Sequence, residues 1–234
     1  MQIDVWSDVV CPWCYVGKRR LEQALARFPN KDDVTVVWHS FELDPNAPKE
    51  STESHGELLA RKYGMSRAKA EEMQAQMTRT AALDGLQFAF EKSRPENTFA
   101  AHRLLHFAAR HGLQGAMKER LLRAYFTEGR RIGDNAELTA LAAEVGLDAT
   151  EVAAMLADPA AHANDVRADE ASARAMDIRG VPFFVLDQKY GVSGAQPADT
   201  LLAAITQAWN ERAPAVADGM VCEGDVCVLP GAKS

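Results

Sequence analysis

Three observations predict an α/β fold whose sheet is interrupted by a large all-helical insertion. A β-α-β pattern fills residues 1–44, a β-β-α pattern fills residues 178–212, and residues 45–177 between them carry helical periodicity with few strand-like runs. A block of that size exceeds an ordinary loop, so it must be a structured unit, and the two flanking segments must come together to complete one sheet. Residues 213–234 remain as a tail rich in Gly, Pro and small residues, which reads as surface chain.

In Gln2–Trp6, Ile3 and Val5 alternate with Gln2, Asp4 and Trp6, the period of a strand. A helix is expected almost at once in CPWCYVGKRRLEQALARF. Pro12 suits its first position, because the N–H that proline lacks would be unpaired there anyway, and Leu21, Ala24, Leu25 and Phe28 recur at helical spacing. Gly17 is a weak point in that helix with no rationale in the sequence. Phe28-Pro29-Asn30 ends the helix, and DVTVVWHSFEL, rich in β-branched and aromatic residues, reads as a second strand.

Helical segments follow as SHGELLARKYG, SRAKAEEMQAQMTRTAAL, NTFAAHRLLHFAARHG, QGAMKERLLRAYFTEG, NAELTALAAEVG and ATEVAAMLA. Stops fall at Gly64, Ser93–Pro95, Gly112, Gly129–Gly133 and Gly146. RGVPFFVLDQKYGVSGAQP then supplies an apolar strand, a polar turn and a second strand. The last helix, PADTLLAAITQAWNER, has Pro197 and Asp199 in its first turn and Leu201, Leu202, Ile205 and Trp209 on one face.

With 234 residues at 47% hydrophobic composition, the chain can build a core without staples. A net charge of −7 removes the electrostatic footprint of a nucleic-acid binder. The start, MQIDVWSDVV, lacks the basic region and the apolar run of about 7–15 residues that mark a secretion signal. No uncharged apolar run approaches the roughly 20 residues of a membrane span. A soluble cytoplasmic protein with no membrane partner is expected.

The four cysteines form two tight pairs, Cys11/Cys14 and Cys222/Cys227, with none between. In a long, core-rich chain such pairs are more often redox-active or metal-binding than scaffolding. At the start of the first helix, Cys11 would take the cap position, where unpaired N–H groups and the helix dipole favour a thiolate. Cys14, one turn further in, would be the resolving thiol. Lys18, Arg19 and Arg20 lie too far along the helix to assist and read as a solvated face. A redox couple is preferred to half of a zinc site, because structural zinc wants four closing ligands and the other pair lies in the tail.

His102 and His106, four apart, share a helix face in metal-like spacing, but the remaining ligands are missing and a structural role is preferred. Met65, Met73, Met77, Met117, Met155 and Met176 could line a permissive peptide groove, though core filling is the better reading.

Taken together, WSDVVCPWCYVGKRRLEQAL, RGVPFFVLDQKYGVSGAQP and the helical insertion resemble the DsbA family of thioredoxin-fold oxidoreductases, in particular its FrnE-like branch, over residues 1–212. The resemblance implies a thioredoxin-like fold with a cis Val181–Pro182 bond facing the cysteines. A proline at the start of an apolar strand also sits where no ladder N–H is needed. It implies a thiol–disulfide oxidoreductase or isomerase in which Cys11, Cys14 and Pro182 are catalytic and Pro12, Trp13 and Val181 touch substrate. An extended peptide would pair along the Val181 backbone by strand addition, with the insertion as one wall of its groove. Asp8 would relay protons to Cys14; a surface turn aspartate is the alternative.

No cofactor is implied beyond the redox-active disulfide, with an external thiol or a thioredoxin-type donor supplying electrons. Partners would be thiol- or disulfide-containing proteins and peptides, with glutathione a further candidate. A glutathione-dependent isomerase or transferase resembling the kappa-class branch is the rival, although such sites carry serine where this chain has Cys11. A zinc-stabilised binding module without catalysis is the other.

For the second pair, VCEGDVC, Gly224 permits a turn that could bring Cys222 and Cys227 together. A relay with Cys11/Cys14, a structural clip and a shared zinc site are the three readings. Glu223 and Asp225 disfavour a thiolate there. An auxiliary redox pair is preferred, because a reducing cytosol works against a merely structural bridge in an exposed tail.

Overall fold

The computed structural model describes residues 1–212 and the backbone strands 221–223 and 226–228. β1 (Gln2–Ser7) leads into α1 (Pro12–Arg27), and the chain returns as β2 (Thr35–Ser40), parallel to β1 with Ile3 opposite Val36 and Trp6 opposite His39. Seven helices follow: α2 (His55–Tyr63), α3 (Arg67–Leu83), α4 (Phe99–Arg110), α5 (Gln114–Arg123), α6 (Asn135–Glu144), α7 (Ala149–Ala157) and α8 (Ala163–Ala175). Then β3 (Phe183–Leu186) pairs antiparallel with β1, β4 (Tyr190–Ser193) pairs with β3, and α9 (Ala198–Asn210) packs back on the sheet. The strand order is β2-β1-β3-β4, so the two ends of the chain do complete one sheet across the insertion.

Side-chain caps start four of these helices, α2, α3, α6 and α7. Ser54 and Glu57 form a reciprocal capping box on α2, and Asp134 and Asp148 accept the first free N–H groups of α6 and α7. The segment expected as one helix from Gln114 instead widens after Arg123 into a π-helical turn, Ala124–Glu128, that Gly129 closes at φ 70°. That turn lets the adjacent rings of Tyr125 and Phe126 both enter the core. Helix α8 has no counterpart among the expected segments. Its buried residues are Val166, Glu170 and Ala173, and two apolar positions are too sparse to register as a stripe. Pro197 caps α9 rather than lying within its first turn.

Central strand β1 is covered on both faces. Ile3 and Val5 face α1 and α9, packing with Leu21, Ala24, Phe28, Leu201 and Ile205. Trp6 turns the other way, onto Ala173 and Ile178. Each such side chain contributes about 1.5–3 kcal/mol on burial, which fixes the register against a one-residue slip. A separate, larger core fills the insertion and reaches the β1–α1 turn through Val9 and α1 through Tyr15 and Val16. In the tail, β5 (Val221–Glu223) and β6 (Val226–Val228) pair antiparallel, with Cys222 opposite Cys227. The side chains of Cys222 and Cys227, and the residues around these strands, lie outside the described residues.

Candidate active site

Cys11 is the N-cap of α1, in extended backbone at φ −89° and ψ 113°, and Pro12 takes the first helical position. The Cys14 N–H donates to the Cys11 carbonyl at 3.0 Å, which sets the second cysteine one turn inside. Both thiols are free and buried, Cys11 5% and Cys14 1% exposed. Val181–Pro182 is cis, and the Val181 carbonyl accepts the Cys11 thiol at 3.6 Å. Pro182 is held from behind, its carbonyl accepting the Gly194 N–H at 2.8 Å. Gly17 now has its reason. A Cβ there would lie 2.8 Å from Pro182 Cγ, so only glycine lets α1 approach this loop so closely.

Behind the cysteines lies a buried polar group. Asp8 is fully buried, not a surface turn residue, and its carboxylate accepts the Val9 N–H at 2.7 Å, the Leu43 N–H at 2.8 Å and His102 Nε2 at 3.1 Å. Burial pushes Asp8 up, but these bonds and the Lys118 ammonium outweigh it and hold the carboxyl below its ordinary range. Burial lowers His102, whose Nδ1 has no partner among the described residues, as suits a neutral ring. Lys118 of α5 is fully buried and reaches the Ser7 carbonyl at 3.4 Å. Burial brings it down to about 8. Burial pushes the Cys14 thiol well above its ordinary value and the neighbouring Cys11 adds to this, against the opposing influence of the Lys118 ammonium and the Asp8 backbone. Cys14 therefore rests as a thiol.

The residues expected as a solvated face are not one. Lys18 is 5% exposed and bonds to Glu22 and Glu119, each at 2.5 Å. Arg19 also reaches Glu119, and the Tyr15 hydroxyl donates to the same carboxylate at 2.7 Å. Arg20 bonds to Asp84 and to the Ala195 carbonyl. The sequence shows spacing along α1 but not that α5 lies beside it. The two histidines on one face of α4 serve different carboxylates. His102 meets Asp8, while His106 meets Asp169 of α8 at 3.1 Å. Asp169 also accepts the Ser40 N–H and His39, both at 2.7 Å, and His39 reaches Asp4 at 2.7 Å, tying β1 and β2 to the insertion.

A cavity of about 810 Å³ opens beside Cys11, lined by Pro12, Trp13, Val181, Leu58, Met77 and Tyr125 among others. Its size and apolar lining suit a ligand site. Trp13, Leu43, Tyr63 and Met73 stand exposed around it. The methionines divide accordingly: Met117 and Met155 fill the core, Met77 is buried at the cavity wall, and Met73 lies on its exposed side. No helix among the described residues is long and apolar enough to cross a membrane. Lys118 escaped the sequence reading. Its signal was a lysine spaced three and four residues from Leu121 and Leu122, on the buried stripe of α5.

The chain is 30% identical over 213 residues to the uncharacterized protein YwbO of Bacillus subtilis, spanning 91% of this chain and 99% of that one. The crystal structure of the probable DsbA oxidoreductase SCO1869 from Streptomyces coelicolor is 46% identical and superposes with a TM-score of 0.87, covering 99% of this chain and 100% of the other. The cytosolic disulfide reductase DsbM from Pseudomonas aeruginosa, at 23% identity, shares the fold, with a TM-score of 0.61 over 90% of this chain and 99% of its own. Residues 2–206 match the DSBA-like thioredoxin domain, and the chain belongs to that family.

Proposed function

We propose that this protein is a thiol–disulfide oxidoreductase or isomerase of the cytoplasm, acting through Cys11 and Cys14 on cysteine-containing peptides and proteins. The observation that carries this reading is Cys11 at the cap of α1, its sulfur against the Val181 carbonyl and open to the adjoining apolar cavity. Membership of the DSBA-like family and the likeness to a probable DsbA oxidoreductase support it. The Cys11 thiolate attacks a substrate disulfide, forming a mixed disulfide and releasing one substrate thiolate, which takes a proton from water. Cys14, deprotonated, then attacks the Cys11 sulfur, releases the second substrate thiolate and leaves the Cys11–Cys14 disulfide. An external thiol or a thioredoxin-type donor supplies two electrons to reopen it.

Cys11→Ser should abolish dithiothreitol-dependent reduction of insulin, whereas Cys14→Ser should still attack and accumulate the mixed disulfide. Full turnover by Cys11→Ser would overturn the assignment. A glutathione-conjugating activity in that same variant would favour the kappa-class alternative.

The tail pair joins this cycle as an auxiliary couple. Directly opposed residues of an antiparallel pair have Cα atoms about 4.5–5.5 Å apart, within the span of a disulfide, and Cys222 and Cys227 are so opposed. Removal of residues 214–234 should change the potential or turnover of Cys11/Cys14. Neither changing would count against the relay.

A further inference from the structure

We infer that the insertion carries a second binding site, set between α4, α6 and α7, for a small organic carboxylate with an apolar body. The site lies outside the Cys11 cavity and does not depend on the oxidoreductase reading.

A cavity of about 340 Å³ opens between these helices, at the lower end of the sizes that hold small ligands. Phe99, Leu156 and Pro159 give it apolar walls. Its charged lining residues are Lys49 and Arg103, and no aspartate or glutamate lines it. In a chain of net charge −7 this is a local reversal of sign.

Arg103, in the second turn of α4, is only 5% exposed. Its Nε donates to the Ala161 carbonyl at 2.6 Å, and its Nη2 donates to the Met155 carbonyl at 2.7 Å and to the Asp158 carbonyl. Every oxygen it meets is therefore backbone. Among the described residues its Nη1 has no partner and its charge has no ion pair. Burying a guanidinium without an anion is costly, so a free donor on this one marks where an anion belongs. Burial lowers Arg103 and the charge of Asp158 opposes this, but the Asp158 carboxylate accepts the Ala160 N–H at 2.9 Å and stands outside the cavity lining.

The other charges nearby are committed. Glu96 accepts from Arg131 and from the Gly133 N–H, and Arg167, stacked 4.4 Å from the Phe99 ring centre, serves Glu42 and Glu170. Lys49 is exposed and has no ion pair among the described residues. Gly133 fixes its segment: a Cβ there would lie 2.9 Å from the Lys49 carbonyl. The first turn of α4 adds its positive end, since Thr98 gives it no side-chain cap.

These groups select the ligand. With Nε and Nη2 already bound, Arg103 cannot present a bidentate fork, so one nitrogen and one ammonium are available for a single carboxylate. The apolar walls then call for an apolar body, which inorganic phosphate lacks.

The test titrates the full chain with hydrocinnamate, with its neutral amide and with inorganic phosphate, followed by amide NMR shifts. Hydrocinnamate should bind at least about tenfold tighter than the amide, as a charge-assisted hydrogen bond allows. It should move the amides of residues 97–103 and 155–158 rather than those around Cys11. Lys49→Gln should weaken it by about two- to fivefold, and Arg103→Gln should abolish it. Should Arg103→Gln fail to fold, Ala157→Trp, which fills the cavity from an exposed wall position, carries the same expectation. Equal binding of acid and amide, shifts confined to the Cys11 cavity, undiminished binding by Ala157→Trp, or no binding at roughly 10 mM would each overturn the site. Phosphate bound as tightly at the same residues would overturn the choice of an apolar carboxylate.

Discussion

Gly17→Ala sets helix propensity against packing. In a helix interior alanine is better than glycine by about 1 kcal/mol, so propensity alone predicts a more stable protein. The new Cβ, however, would lie 2.8 Å from Pro182 Cγ, 3.4 Å from Pro182 Cβ and 3.3 Å from Phe184 Cζ. The proline ring is closed and cannot rotate aside, and Phe184 is fully buried in the sheet core. Relief therefore requires α1 or the start of β3 to move, and overpacking of this kind costs about 1–3 kcal/mol. The net expectation is a loss of about 0–2 kcal/mol in place of the gain of about 1 kcal/mol, read as a lower urea midpoint at unchanged slope. Turnover should fall as well, because the same shift carries Val181 and Pro182 away from Cys11. A variant more stable than wild type and equally active would refute the claim that this close approach needs glycine.

Asp169→Asn should be the costliest single change in the contact between the sheet and the insertion. Loss of one partner of a buried ion pair costs about 3–5 kcal/mol, and with the side chain 13% exposed the lower end is expected; a melting temperature near wild type would contradict this. The same network gives stability a pH dependence. Burial raises Asp169, but bonds from His106, His39 and the Ser40 N–H hold it far below its ordinary 3.8, so its contribution is complete above that value and lost only in acid. Burial lowers His39, yet Asp169 and Asp4 outweigh this and raise it above 6.5, so its contribution is complete below 6.5 and lost as pH rises through the raised value. His39→Gln should therefore flatten the decline on the alkaline side while leaving the acid limb in place, and a parallel curve for wild type and variant would show that His39 does not cause it. Glu119→Gln weakens three bonds at once, to Lys18, Arg19 and Tyr15, and should cost about 1.5–3 kcal/mol in denaturant unfolding. A change under about 0.5 kcal/mol, ordinary for a surface site, would argue that Glu22 alone suffices for Lys18.

Much of the molecule was legible because local chemistry and tertiary packing agree. The period of Ile3 and Val5, the proline after Cys11 and the apolar run after Pro182 each mean one thing in isolation and the same thing in the fold. Legibility failed where a partner distant in sequence decides. Nothing near Gly17 announces Pro182, and nothing near Lys18 announces Glu119, 101 residues away. Helix α8 was missed because charge pairs rather than an apolar stripe occupy its inner face. Asp169 meets His39 there, and Glu170 meets Arg167, which also reaches Glu42. Burial of Asp8 was equally hidden, since a short polar residue after a strand is ordinarily exposed and only Leu43 and His102, folded over it, enclose this one.

The insertion is consequently more than a wall beside the cysteines. Its α4 supplies His102 to Asp8, its α5 supplies Lys118 and Glu119, and its α8 supplies Asp169 to β2, so polar groups from three helices of the insertion meet Asp8, α1 and β2. Of these groups Asp8, His102 and Lys118 are fully buried. Displacing the insertion as a unit would expose Asp8 and Lys118 to water, where each is solvated and neither acts strongly on a sulfur at this range. The electrostatic surroundings of Cys14 therefore depend on how closely the insertion packs on the sheet.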